Sequence, residues 1–184
     1  MPAPATSPRH DELLDRAYDY VLEHGLSQVS LRPLAAAIGS SPRVLLFLFG
    51  SKDELVRALL ARARADELAA LDQLQGTGGL HGTAQKLWEW LAVPAHRPLL
   101  ILWLEAYSRS LVEPDGPWAG FARATVEDWL TLLAAAQPPR ERRTAAGRTQ
   151  RTLTLAVLRG ALLDLLATGD VARTTASVQD ALRP

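Results

Sequence analysis

Three serines punctuate one short stretch of this chain. Ser30, Ser41 and Ser51 each stand just ahead of a helix-forming run, where a side-chain oxygen can accept from the free N–H groups of a first turn. Pro33 and Pro42 fall in the first turns after Ser30 and Ser41, where the missing N–H costs nothing. Glu54, three residues past Ser51, completes the pattern of a capping box, and Gly39 stands between the first two runs as a stop. The spacing predicts a helix ending at Gly39, a second from Ser41 to about Leu48, and a third starting at Ser51. A bihelical corner of this kind can lay its second helix in the major groove of a DNA duplex. The charge agrees, because Arg32, Arg43 and Lys52 are the only ionisable groups from Ser30 to Lys52.

Helical punctuation continues on both sides. A first helix is expected from Ser7 or Pro8, after a mobile tail, to His24, with Asp11 and Glu12 in its first turn and Gly25 as its stop. Leu14, Ala17, Tyr18, Val21 and Leu22 give it one apolar stripe. The run from Ser51 extends to about Leu74, and Gly76, Gly78, Gly79 and Gly82 then read as a flexible linker. Further helical patterns cover about 83–93, 98–111, 118–136, 140–167 and 170–182, broken at prolines and glycines. No β-branched run alternates with period two. The expected fold is all-α, with about nine helices and no repeats.

Composition narrows the function. The 184 residues are 48% apolar, enough for a substantial interior, and 20 cations balance 20 anions. Affinity for a polyanion must therefore come from a local patch. Without cysteine there are no disulfides and no thiolate metal sites or nucleophiles, which fits a reducing cytoplasm. The prolines of MPAPATSPRH interrupt any secretory core, and no apolar run approaches the roughly 20 residues that span a bilayer, so no membrane partner is expected. Catalytic motifs are missing too. There is no HExxH, GxSxG or phosphate loop, and His10, His24, His81 and His96 are scattered, so neither an enzyme nor a metal or cofactor site is expected.

The motifs have a familiar order: Glu23–His24–Gly25, then VSLRPLAAAIG at 29–39, then FGSKDEL at 49–55, and LRGALLDLLATGD at 158–170. The chain resembles the TetR-family transcriptional repressors. The resemblance implies a helix-turn-helix DNA-binding head over 1–52 and a ligand-binding, dimerising body over 53–184, joined by the helix that starts at 51. It implies a homodimer that binds a palindromic double-stranded DNA operator and responds to a small apolar or aromatic ligand. Ser40, Ser41, Pro42, Arg43 and Val44 would face base edges, with Arg43 able to grip guanine O6 and N7. Ser30, Arg32 and Lys52 would reach phosphates. A cavity is implied among Trp88, Trp103, Tyr107, Trp118, Phe121 and Trp129, with Tyr107, Glu105, His96 and Arg109 as candidate polar anchors. Pairing would use Leu155, Leu158, Leu162, Leu165 and Leu166.

The chain also departs from that pattern. Leu46 stands where the family commonly places a phosphate-binding tyrosine, and Pro42 replaces a usual lysine. The first helix carries Asp11, Glu12, Asp15, Asp19 and Glu23 against Arg9 and Arg16. Two readings follow. Either Val44 and Phe47 make apolar contact with thymine methyls in place of some backbone grip, or the chain is a helical ligand sensor or adaptor that has lost sequence-specific DNA binding.

Overall fold

The computed structural model describes residues 7–26, 29–73 and 78–183. Among them lie ten α-helices and no strand. They are α1 (Pro8–His24), α2 (Leu31–Ala37), α3 (Pro42–Phe49), α4 (Lys52–Gln73), α5 (Gly79–Leu91), α6 (Arg97–Val112), α7 (Phe121–Ala135), α8 (Pro139–Arg142), α9 (Ala145–Thr168) and α10 (Val171–Ala181), with a 3-10 turn at Pro94–His96. Contacts group the chain into two units: Met1–Ala65 with Ile101–Ala122, and Asp66–Leu100 with Arg123–Pro184. The tail before Ser7, Gly76 of the expected linker and Leu74 lie outside the described residues. No single helix among those described is long and apolar enough to cross a membrane.

The first unit is organised by its caps. Ser7 accepts from the His10 N–H at 3.2 Å with Pro8 at the first helical position, and the N–H of Gly25 (φ 80°) closes α1 on the Val21 carbonyl. α2 ends in a Schellman motif. The N–H of Ser40 donates to the Ala35 carbonyl at 2.8 Å and that of Gly39 to Ala36, with Gly39 at φ 66°. The chain then turns by 101° into α3. Leu13, Ala17, Tyr18 and Val21 meet Leu34, Ala35, Ile38, Leu45, Phe49, Leu55 and Leu59 in the buried set. The buried stripe of α1 thus starts at Leu13, not at Leu14, which is half-buried like Leu22. The 13–17–21 series and its neighbour at 14 both fit helical spacing, and packing selects the first.

Glu105 of α6 belongs to the same unit. Its carboxylate accepts from the backbone N–H of Leu26 at 2.8 Å, tying α6 to the corner after α1. A knot follows α6: Glu113 accepts from Arg109 at 2.6 Å and from the Trp118 indole at 3.1 Å.

In the second unit α5, α9 and α10 pack on one another. Trp88 donates to Thr175 at 2.9 Å, and Trp129 donates to the buried Glu67 at 2.8 Å. The expected linker is partly helix here. Gly79 and Gly82 sit in the first turn of α5, and the Gly82 N–H donates to Gly78 at 3.1 Å. The long helix expected over 140–167 is divided. Thr144 accepts from Gly147 at 2.9 Å and starts α9, leaving α8 as a separate turn, which accounts for ten helices in place of nine. Glycine is required at 147 because a Cβ there would collide with the Glu141 carbonyl.

Candidate nucleic-acid interface

α3 holds one face in and turns the other out. Ser41 caps it, accepting from the Val44 N–H at 3.3 Å, and Pro42, half-buried, takes the first helical position. Leu45 and Phe49, one turn apart, are buried and fix the helix to the core. On the outer side Arg43 is exposed, Val44 is 38% exposed, Leu46 41% and Phe47 85%. Burying a phenylalanine stabilises a fold by about 1.5–3 kcal/mol relative to leaving it in water. The chain forgoes that at Phe47 while burying Phe49 on the same helix.

The flanking cations are free to act outward. Arg32 in the first turn of α2, Arg43 on α3 and Lys52 opening α4 are all exposed. Among the described residues none of the three has a hydrogen-bond or ion-pair partner. Ser30 is exposed on extended backbone, its hydroxyl uncommitted to capping α2. Ser51 accepts from the Glu54 N–H at 3.1 Å, but the capping box stays half-formed because the Glu54 carboxylate pairs with Arg57.

Ser40 is placed differently from Arg43. The Ser40 hydroxyl is buried with no hydrogen-bond partner among the described residues, so it does not face solvent with Arg43. The Ser40 N–H, for its part, closes the Schellman motif on the Ala35 carbonyl.

α1 is less bare an anion than its composition suggests. Glu12 accepts from Arg9 and Arg16, each at 2.7 Å. The Arg9 hydrogen bond, with the charge of both arginines, holds its carboxyl below the ordinary range. Asp15 pairs with Arg62 of α4. Asp19 and Glu23 line an open groove between α1 and α2 beside Arg16 and His24.

The aromatic candidates divide between the units: Trp103, Tyr107, Trp118 and Phe121 in the first, Trp88 and Trp129 in the second. All are buried except the half-buried Tyr107. All four polar anchors have other partners: Glu105 holds Leu26, Arg109 holds Glu113, His96 Nδ1 lies 2.8 Å from the Trp90 carbonyl, and the Tyr107 ring packs on Trp103 with centroids 5.0 Å apart. A cavity of about 150 Å³ does open in the second unit, lined by Leu91, Val93, Pro94, Leu100, Leu165 and Leu166 with Arg97. None of the six aromatics lines it, and nothing in those short apolar runs distinguishes a wall from a core.

Of the expected pairing residues, Leu155, Leu158, Leu162 and Leu165 are buried within the single chain and Leu166 is half-buried. The outer side of α9 instead shows Leu153 at 61% and Leu163 at 48% exposed, with Ala156 and Gly160 between them.

A four-residue turn carrying a glycine, a 101° corner and an outward cation on the second helix define a helix-turn-helix protein. Comparison with known proteins agrees. Residues 13–59 match the profile of the bacterial regulatory proteins, tetR family. An HTH-type transcriptional repressor of Mycobacterium tuberculosis, Rv1474c, is 31% identical over 165 residues, covering 90% of this chain and 81% of that one. Among solved structures, a TetR-family regulator from Rhodococcus sp. has a TM-score of 0.74 at 19% identity, covering 96% of this chain and 97% of its own. The multidrug binding protein EbrR, complexed with proflavin, has a TM-score of 0.66 at 24% identity, covering 94% and 99%. This chain belongs to the TetR family of bacterial transcriptional regulators, which are not enzymes.

Proposed function

We propose that the protein is a homodimeric cytoplasmic repressor that binds a palindromic double-stranded DNA operator and is modulated by a small apolar or aromatic ligand. The single observation that carries this reading is the outward face of α3, where an exposed, unpaired Arg43 stands in a segment that carries Arg32 and Lys52 and no acid. Arg43 reads guanine by its two-pronged contact, Ser41 and Val44 border the base edges, and Ser30, Arg32 and Lys52 hold phosphates. The head is the segment 1–52 and the body 53–184.

Pairing of two chains uses the outer stripe of α9. Leu153, Ala156, Gly160 and Leu163 follow a 3–4–3 spacing, the seam that a second helix can enter, and nothing lies within 4 Å of a Cβ built on Gly160. Two heads on a palindrome would stand about 34–36 Å apart. The ligand belongs to the body. A cavity of about 150 Å³ with apolar walls suits a molecule near the size of a single aromatic ring. EbrR's proflavin complex is consistent with aromatic ligands on this fold.

The test is selection of bound duplexes from a random pool at low salt, followed by Arg43→Ala on the enriched site. Enrichment of a two-fold sequence whose guanine preference disappears in the variant supports the reading. A pool with no enriched sequence favours the adaptor reading motivated by Leu46.

A further inference from the structure

The exposed ring of Phe47 has no role in the fold, and its neighbours say what it meets. Arg43 and Phe47 are four residues apart on α3, so they share a face, and Val44 lies three residues before Phe47 on its flank. No acid occurs from Ser30 to Lys52, and a cation stands one turn away, so the surface suits a polyanion better than an apolar protein partner. Within the major groove of a duplex the base edges offer one methyl group, the C5-methyl of thymine; every other readable feature is a donor or acceptor. Neither Phe47 nor Val44 has a side-chain donor or acceptor.

We infer that Phe47, flanked by Val44, is a specificity-determining residue that reads a thymine methyl within about two base steps of the guanine read by Arg43. The inference rests on the operator reading above. Its spacing comes from geometry. Four residues of helix rise about 6 Å, and base pairs stack about 3.4 Å apart, so side chains one turn apart address pairs one or two steps apart. The methyl projects into the groove from either orientation of an A·T pair, so the requirement is for that pair and not for one strand. Phe47 thereby supplies sequence preference without adding to the salt dependence, since it displaces no counterion.

The experiment uses the full-length protein and its selected operator, with each thymine near the Arg43-dependent guanine replaced in both half-sites by deoxyuridine. That change removes the methyl and keeps every hydrogen-bonding group. One such position should weaken wild-type binding roughly fourfold per half-site, the worth of one buried methyl, and on the order of tenfold for the symmetric operator. Phe47→Ala, at a position too exposed to disturb the fold, should bind the thymine operator more weakly and treat thymine and uracil alike. Phe47→Leu should retain a thymine preference. The inference is overturned if wild type binds both operators equally at every position. It is overturned too if the selected half-site has no A·T pair within two steps of the guanine. Should Phe47→Ala bind every duplex as wild type does, the ring belongs to a protein contact instead. Failure to enrich any sequence removes the operator reading itself, a result distinct from enrichment without methyl dependence.

Discussion

α3 and α9 both turn apolar residues to solvent, yet their surroundings differ in kind. On α3 one ring, Phe47, projects one turn from Arg43 in a segment without acids. On α9 two leucines, 153 and 163, are separated by Ala156 and Gly160, giving a low stripe at coiled-coil spacing. A projecting ring next to a cation suits a charged groove, whereas a flat stripe of small residues admits a second helix closely. The lesson is that exposed hydrophobicity names no partner until its neighbours are read.

The largest expected effect comes from breaking the α9 side. Leu153→Glu with Leu163→Glu should convert a sedimenting species of twice 20.0 kDa into one of 20.0 kDa. Operator affinity should fall by about 100-fold or more, because each head then binds without the tethered help of the other. A double variant that still sediments as a dimer would place the seam elsewhere and end the contrast between the two faces.

Next in size is the α3 cation. Arg43→Ala should lose about 1–3 kcal/mol of base discrimination, read as flattened preference at one position of the half-site. Lys52→Ala should weaken all sequences alike. Two phosphate-holding cations per head, Arg32 and Lys52, make four for a dimer, so log affinity should fall against log salt with a slope of about −4, and Lys52→Ala should reduce that by about two. A much steeper slope in the wild type would show that other cations carry the grip and that the apolar character of α3 is incidental.

The contrast also marks what the chain's letters could tell. Caps are local chemistry, so Ser7, Gly25, Gly39 and Ser41 announce helix ends without help from the fold. The head, made of short capped helices, was accordingly legible, down to the outward Arg43. α9 was not, because it is apolar on two sides. Leu155, Leu158, Leu162 and Leu165 fill the interior while Leu153 and Leu163 face out, and periodicity alone cannot say which side a chain keeps for itself. The burial of the Ser40 hydroxyl leaves no mark in the sequence either. Partnerships such as Glu105 with the Leu26 N–H, 79 residues apart, leave no mark in sequence spacing.

A middle-sized effect sharpens the interior of the second unit against these surfaces. Trp129→Phe keeps the aromatic bulk and removes the N–H that donates to buried Glu67 at 2.8 Å. Leaving a buried acceptor without its donor costs about 1–3 kcal/mol, so the urea midpoint should drop while the oligomeric state and base preference stay as in wild type. Loss of either property alongside the midpoint would mean that this interior tie also sets the outer faces.

The smallest effect tests whether exposed charge on α9 matters beside its apolar stripe. Asp164, next to Leu163, accepts from both terminal nitrogens of Arg173 at 2.6 and 2.7 Å, bracing α9 against α10. The Arg173 hydrogen bond, with its charge, lowers the Asp164 pKa below the ordinary carboxylate value. A carboxyl depressed in the folded state gives stability that is present above its unfolded value of about 3.9 and is lost as pH falls through the lower folded value. Asp164→Asn should therefore unfold slightly earlier than wild type at neutral pH, and the two thermal curves should converge as pH falls below the carboxylate range. Since both side chains are open to water, salt should shrink the neutral-pH gap as well. A gap that persists in acid would assign the effect to packing at the α9–α10 joint and not to charge, bringing Asp164 into the same apolar account as its neighbour Leu163.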